Sequence, residues 1–146
     1  MSTRMTKGHA HTNDLATVPL FSALSPKELE HVDQASDEVE FDAGEELVIE
    51  GRVGREFFMI LEGEAAVTRQ GTEVATLGPG QWFGELSLLD KGPRSATVAA
   101  RTPMKVLVLG QREFGGLLDT VPGLAPKLLG PLAARLREAD AASITS

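Results

Sequence analysis

One segment of the sequence, residues 83–98 (FGELSLLDKGPRSATV), combines a carboxylate, a guanidinium and backbone N–H groups next to a glycine. Gly84 allows the backbone to approach an anion closely, and a short helical turn over Glu85–Leu88 would present N-terminal N–H groups, which favour phosphate. An ionised Glu85 only accepts hydrogen bonds, so it suits a hydroxyl, whereas Arg94 suits a phosphate through charge-assisted bonds. The segment therefore predicts a site for a small anion that also carries hydroxyl groups.

Catalytic alternatives find little support in the sequence. All three histidines, His9, His11 and His31, precede the predicted strands, so no strand offers a histidine as a metal ligand or a general base. There is no cysteine for a disulfide, a thiolate metal site or a nucleophile. As two isolated residues, Glu85 and Arg94 would form a surface ion pair of little energetic value, but their glycine-rich and apolar surroundings favour a ligand site. We therefore predict a protein that is not an enzyme and needs no metal or cofactor.

The composition is that of an ordinary globular domain. The chain has 146 residues, 42% hydrophobic and 24% charged, which suits one domain with one core. A net charge of −7 and the lack of a lysine and arginine cluster argue against a nucleic-acid partner, because phosphate neutralisation drives that binding. No apolar run approaches the ~18 residues of a membrane span, and no secretory signal is present. We expect a cytoplasmic protein with no membrane or nucleic-acid partner.

The hydrophobic pattern divides the chain into a tail, a helix, a set of strands and a helical end. Residues 1–14 are polar and without periodicity, and we predict no regular structure there. Ser25 begins a helix as its N-cap, with Pro26 at the first position and Glu28 completing a capping box. Over about residues 38–110, short alternating runs separated by glycine turns predict about eight strands. The pattern favours a mainly β fold, a jelly-roll-like β-roll flanked by N-terminal and C-terminal helices.

The C-terminal part is predicted to be helical over about residues 111–140 and frayed over 142–146, so that the domain spans residues 15–141. Pro131 lies inside this helical pattern. Since proline lacks an N–H group and clashes with the preceding turn, it should kink or divide the helix.

The 83–98 segment closely resembles the phosphate-binding cassette of cyclic nucleotide-binding domains, such as those of catabolite activator proteins, cyclic-AMP-dependent kinase regulatory subunits and cyclic-nucleotide-gated channels. Its FGELSLL and PRSATV runs carry the resemblance, which covers about residues 15–139. The resemblance implies a β-roll that binds cyclic AMP or cyclic GMP, with Glu85 on the ribose 2′-hydroxyl and Arg94 on the cyclic phosphate. It also implies contacts from, or pocket lining by, the neighbouring residues Phe83, Gly84, Leu86, Ser87, Ser95, Ala96 and Thr97.

Two further positions acquire meaning from this resemblance. In the family the last helix folds over the base as a lid, so Arg135 would stack its guanidinium on the purine; the alternative is a solvated charge near a helix end. Arg55 departs from the family pattern, because many relatives carry an acid in this turn that steadies the phosphate-binding arginine. Either Glu56 replaces that acid, or the ligand alone holds Arg94.

We therefore predict a sensor that binds a cyclic nucleotide, cyclic AMP rather than cyclic GMP, and signals through movement of its C-terminal helices. Its macromolecular partner would be an unidentified protein or a second copy that docks on those helices. Two alternatives stay open. One is a degenerate fold that serves as a protein-interaction scaffold, which Arg55 supports, and the other is a regulatory fragment of a larger enzyme or transporter.

Overall fold

The computed structural model describes residues 5–7, 11–90, 92–135 and 137. Two antiparallel sheets face each other, and helices cover the outer side of one of them. The strands are β1 (Met5–Lys7), β2 (Asp37–Phe41), β3 (Glu46–Val48), β4 (Glu56–Glu62), β5 (Ala65–Arg69), β6 (Thr72–Leu77), β7 (Trp82–Phe83), β8 (Thr97–Ala100) and β9 (Met104–Gly110). The helices are α1 (Thr12–Leu15), α2 (Pro26–Ala35) and α3 (Gln111–Thr120), with 3₁₀ helices at Pro19–Phe21, Glu85–Leu88 and Ala125–Leu128. A last helix occupies residues 129–135 and is called the terminal helix below.

The sheet topology is that of a β-roll. One sheet has the strand order β1-β2-β9-β4-β7 and the other β3-β8-β5-β6. The prediction of a β-roll of about eight strands between flanking helices is confirmed. The short strand β7 was not predicted, because two residues show no alternation and are defined only by their pairing with β4.

Strands β4 and β9 are buried on both faces, which explains why they are the most apolar runs of the sequence. Phe57 and Met59 on β4 pack with the helices, whereas Phe58 and Ile60, with the opposite orientation, pack between the two sheets. The β-roll and its helical layer therefore share strand β4, whose first residue, Glu56, is next to the candidate site.

Helix α2 begins as predicted. The hydroxyl of Ser25 accepts a hydrogen bond from the backbone N–H of Glu28 at 3.2 Å, and the Glu28 carboxylate accepts one from the backbone N–H of Ser25 at 2.8 Å. This capping box satisfies two N–H groups that the first turn of a helix leaves free.

The N-terminal residues differ from the expectation where the structure describes them. Within the predicted tail over residues 1–14, β1 pairs with β2, and α1 begins at Thr12. Leu15 is fully buried, and the ring Nε2 of His11 lies 3.2 Å from a carboxylate oxygen of Glu38. The sequence pattern could not show this, because β1 is three residues long and is stabilised by a neighbouring strand rather than by its own periodicity.

The helical end is not one continuous α-helix, but the interruption does not fall at Pro131 as predicted, because Pro131 lies within the terminal helix. A 3₁₀ helix over Ala125–Leu128 precedes the terminal helix, and Leu129 connects them with helical backbone angles. Tightening this turn places Pro131 near the start of the terminal helix, where its missing N–H group costs least. The predicted domain end at residue 141 and the frayed tail over 142–146 lie outside the described residues. None of the described helices is long and apolar enough to cross a membrane.

Candidate functional site

A cavity of about 550 Å³, called the main cavity below, opens beside the 83–98 segment. Gly84, Ser87 and Arg94 lie together at a polar end. The side chains of β5, β6 and β8 form an apolar wall, because these strands are neighbours in one sheet. The lining residues are Val48, Val67, Arg69, Val74, Ala75, Leu77, Trp82, Phe83, Gly84, Leu86, Ser87, Asp90, Gly92, Pro93, Arg94, Ser95, Ala96 and Val98.

Arg94 is held in place by several groups of the domain. Its Nη2 donates to the backbone carbonyl of Glu56 at 2.9 Å, and its Nη1 donates to the hydroxyl of Ser87 at 3.1 Å. The Glu56 carboxylate lies 3.5 Å from Nη2, and the centre of the Phe58 ring lies 5.8 Å from the guanidinium carbon. The side chain is only 9% exposed. Burial lowers the pKa of Arg94 and the Glu56 carboxylate opposes that shift, but an arginine stays charged in proteins. The polar end therefore carries a fixed and largely desolvated positive charge.

Two glycines make room for this guanidinium. Gly84 has a φ of +80°, and a Cβ there would lie 2.6 Å from Nη1 of Arg94. Gly54 is buried, and a Cβ there would lie 2.5 Å from Nε of Arg94 and 2.8 Å from the Ser87 hydroxyl. Any side chain at either position would displace the guanidinium. Gly84 also precedes the 3₁₀ helix Glu85–Leu88, which forms the predicted helical turn.

Glu56 replaces the acid that is missing at Arg55, so Arg94 is held by the domain and not by a ligand alone. It contacts Arg94 through both its backbone carbonyl and its carboxylate. The neighbouring Arg55 is exposed and lines a second surface cavity, to which Glu56 and Arg112 also contribute.

Glu85 is paired with the terminal helix. Its Oε1 accepts a hydrogen bond from Nη1 of Arg135 at 2.7 Å. The Glu85 side chain is 12% exposed and that of Arg135 is 44% exposed. Neither residue lines the main cavity, but Gly84 and Leu86, on either side of Glu85, do, so Glu85 lies at its edge. Arg135 therefore contacts the 83–98 segment through the Glu85 carboxylate, and its stacking on a purine stays a prediction.

The remaining predicted site residues divide between the cavity and its supports. Phe83 lines the cavity and stacks on Phe58 with ring centres 4.8 Å apart, while Leu86, Ser95 and Ala96 also line it. Thr97 does not line the cavity, because it lies on the other face of β8 and its hydroxyl accepts a hydrogen bond from the backbone N–H of Glu50 at 2.9 Å.

Sequence reasoning missed three residues around the site. Gly54 looked like an ordinary turn residue, and only its distance to Arg94 shows its role. Gln111 begins α3 and donates from Nε2 to the backbone carbonyl of Ser87 at 3.1 Å, a contact between residues far apart in sequence. Arg69 lines the cavity from β5, and the alternation of Ala65, Val67 and Arg69 on one face of that strand could have revealed it.

Comparison with known proteins gives the family of the chain. The family model described as a cyclic nucleotide-binding domain matches residues 38–121. The cAMP-dependent protein kinase regulatory subunit of Emericella nidulans is 41% identical over 112 residues, which cover 75% of this chain and 27% of that protein. The corresponding subunit of Hypocrea atroviridis is 35% identical over 124 residues, covering 85% of this chain and 27% of that protein. The chain thus spans about a quarter of the length of these curated relatives.

Solved structures show the same fold. The N-terminal domain of a transcriptional regulator from Streptomyces coelicolor A3(2) superposes with a TM-score of 0.81 at 36% identity, covering 88% of this chain and 93% of that chain. The catabolite activator protein of Thermus thermophilus superposes with a TM-score of 0.69 at 33% identity, covering 87% of this chain and 62% of that chain.

Proposed function

Since the chain belongs to the cyclic nucleotide-binding domain family, we propose that it binds cyclic AMP in the main cavity and acts as a non-enzymatic sensor. The observation that carries this proposal is the position of Arg94, a guanidinium fixed by Glu56 and Ser87 at one end of the cavity, opposite the apolar wall. The choice of cyclic AMP follows the relatives, whose names specify cAMP-dependent kinase regulatory subunits.

The cavity offers a separate environment to each part of such a ligand. Arg94 would hold the cyclic phosphate by charge-assisted hydrogen bonds, with Gly84 allowing the backbone to come close. The apolar wall around Val67, Leu77 and Val98 would bury the purine ring. Micromolar affinity corresponds to about −8 kcal/mol, which a few such bonds and the burial of one ring can supply after the entropy lost on binding.

Titration calorimetry with cyclic AMP tests the proposal. We expect saturable binding by the wild-type protein and a loss of affinity of at least about 100-fold in Arg94→Ala, because a charged hydrogen-bond partner of the phosphate is removed. Arg112→Ala, on exposed α3 surface, is the matched control and should bind normally. Absence of heat and of a thermal shift at millimolar ligand would refute the proposal, as would normal binding by Arg94→Ala.

We further propose that binding is signalled through the C-terminal helices. Two contacts would carry the signal from the ligand to these helices: Arg135 to the Glu85 carboxylate, and Gln111 to the Ser87 carbonyl. A ribose hydroxyl on Glu85 would act on the same carboxylate that holds Arg135. A phosphate on Arg94 would act through Arg94 on Ser87, whose hydroxyl accepts from Arg94 and whose backbone carbonyl accepts from the Gln111 amide. Movement of the helices would then change how the exposed Leu129 is presented to a partner protein or a second copy.

The scaffold alternative loses the observation that supported it. It depended on Arg55 standing where an acid steadies the phosphate-binding arginine. Glu56 provides that support to Arg94 through its backbone carbonyl and its carboxylate. We therefore propose a binding domain rather than a scaffold that has lost its ligand.

A further inference from the structure

Glu50 joins the β5–β6 hairpin to the rest of the domain and has no part in the proposed function so far. It lies two residues after β3, and its side chain is partly exposed. Its Oε1 accepts a hydrogen bond from the backbone N–H of Gln70 at 2.9 Å, across 20 positions of the chain. Gln70 lies in the turn between β5 and β6, so this carboxylate attaches the tip of the hairpin to the segment that follows β3.

The hairpin tip needs this contact for two reasons. Gln70 has a φ of +51°, and among the described residues it is the only one other than glycine with a positive φ. A side chain in this region costs conformational energy, so glycine and asparagine dominate such turns. In addition, the strand pairing ends at Arg69 and Thr72, so the ladder supplies no acceptor to the N–H of Gln70. The Glu50 carboxylate supplies that acceptor through a charge-assisted bond.

The segment that follows β3 also holds the main chain of Arg94. The N–H of Gly51 donates to the Arg94 carbonyl at 2.8 Å, and the N–H of Arg94 donates to the carbonyl of Arg52 at 2.7 Å. The N–H of Glu50 itself donates to the Thr97 hydroxyl at 2.9 Å. This segment is therefore tied on one side to the residues around Arg94 and, through the Glu50 carboxylate, to the hairpin on the other.

We propose that Glu50 is a positioning residue, which fixes the distance between the apolar wall and the polar end of the main cavity. This inference rests on the proposed function. The wall includes Val67 on β5 and Val74 on β6, and both strands belong to the hairpin that Glu50 holds. A ligand with its phosphate at Arg94 and its ring against the wall needs both at one separation, because a site that is about 1 Å too loose binds poorly. Glu50 itself does not line the cavity, so it acts through the hairpin and not on the ligand.

Substitutions at Glu50 separate the position of the acceptor from its charge. Glu50→Gln keeps a carbonyl oxygen at the same distance along the side chain, whereas Glu50→Asp keeps the charge but withdraws the acceptor by one methylene group. We expect Glu50→Asp and Glu50→Ala to weaken cyclic AMP binding by about tenfold, mainly through faster dissociation, and Glu50→Gln to weaken it by less than about threefold. Titration calorimetry gives the affinities. The fluorescence of Trp82, the one tryptophan of the chain and part of the cavity lining, gives the dissociation rates.

Amide hydrogen exchange reports the contact itself. The amide of Gln70 should exchange at least about tenfold faster in Glu50→Asp and Glu50→Ala than in wild type, because its acceptor is withdrawn or removed. The amide of Val106, which is fully buried on β9, should keep its protection and show that the variants are folded. Glu46→Ala removes an exposed carboxylate from β3 and is the matched control, which should bind cyclic AMP as wild type does.

Three outcomes would decide against the inference. A loss of affinity in Glu50→Gln as large as that in Glu50→Asp would mean that the position of the acceptor is not responsible, and it would overturn the inference. Faster exchange at Gln70 with unchanged affinity and dissociation rate would also overturn it, because the hairpin would then be released without consequence for the ligand. In both cases the proposed function would stand. Failure of wild type to bind cyclic AMP would refute both.

Discussion

Arg135 donates a hydrogen bond to Glu85 across 2.7 Å and so joins the terminal helix to the 3₁₀ helix of the 83–98 segment. The two residues are 50 positions apart in the chain. Glu85 is mostly buried whereas Arg135 is partly exposed, so the carboxylate is the fixed partner and the arginine the adjustable one. This contact joins Glu85, the proposed ribose-binding carboxylate, directly to the terminal helix that is proposed to carry the signal.

Removal of Glu85 should abolish discrimination at the ribose 2′-hydroxyl. We expect wild type to bind 2′-deoxy cyclic AMP about 10- to 100-fold more weakly than cyclic AMP, the value of a hydrogen bond to a charged group. Glu85→Ala should bind both ligands with the same low affinity. Glu46→Ala removes an exposed carboxylate from β3 and should keep the discrimination. If Glu85→Ala still distinguished the two ligands, the 2′-hydroxyl would have to be bound elsewhere.

Loss of Arg135 should loosen the terminal helix before it affects ligand affinity. The chain has no cysteine, so two engineered cysteines at the exposed Thr72 and Leu129 can carry spin labels without background. In the absence of nucleotide, Arg135→Met should broaden the distance distribution between the labels, because the ion pair with Glu85 is gone. Cyclic AMP affinity should change by less than about fivefold, since an ion pair whose arginine is partly exposed contributes only about 1 kcal/mol. Arg137→Met, two residues further along, is the control. Equal distributions in the two variants would contradict a role for the pair.

The strands and the helix start were predictable because their signals are local. The capping box at Ser25 and Glu28 needs four consecutive residues, and the two-residue period of the strands needs only a few more. Strand β1 and strand β7 were not predictable, because each is defined by pairing with a distant strand rather than by its own pattern.

In the candidate site, too, the local features were predictable and the contacts between distant residues were not. The 83–98 segment is contiguous, so its composition alone indicated an anion site. Glu56, which binds Arg94, and Gly54, which leaves room for it, lie some 40 positions earlier in the chain and become its neighbours only when β4 and this segment fold together. The partner of Glu85 comes from the terminal helix. Such contacts depend on tertiary packing, which a single sequence does not specify residue by residue.

A methyl group at Gly54 should damage ligand binding more than it damages the fold. The backbone of Gly54 is not in the left-handed region, but a Cβ would lie 2.5 Å from Nε of Arg94. We expect Gly54→Ala to displace the guanidinium and weaken cyclic AMP binding by at least about tenfold, the loss of one charged hydrogen bond. Gly78→Ala is the matched control, because a Cβ there has no neighbour within 4 Å. Calorimetry and thermal melts of both variants test this, and equal affinities in the two would show that Arg94 tolerates the displacement.

Glu28 should make the stability of the domain depend on pH. Its carboxylate accepts hydrogen bonds from Lys127 Nζ at 2.7 Å and from the backbone N–H of Ser25 at 2.8 Å. These bonds, that from Lys127 above all, hold the pKa of Glu28 below its ordinary value of 4.5. A carboxyl group with a lower pKa in the folded state contributes stability that is full above the unfolded pKa and is lost as the pH falls through the folded pKa. We therefore expect Glu28→Gln to lower the free energy of unfolding by about 0.5–1 kcal/mol near pH 7, a modest value because solvent screens the partly exposed Lys127.

Urea denaturation at a series of pH values should show this difference shrinking below pH 4.5. Glu30→Gln, exposed on the same helix, should show no such pH dependence. A difference that persisted unchanged in acid would mean that the Glu28 charge does not stabilise the contact between α2 and the C-terminal segment.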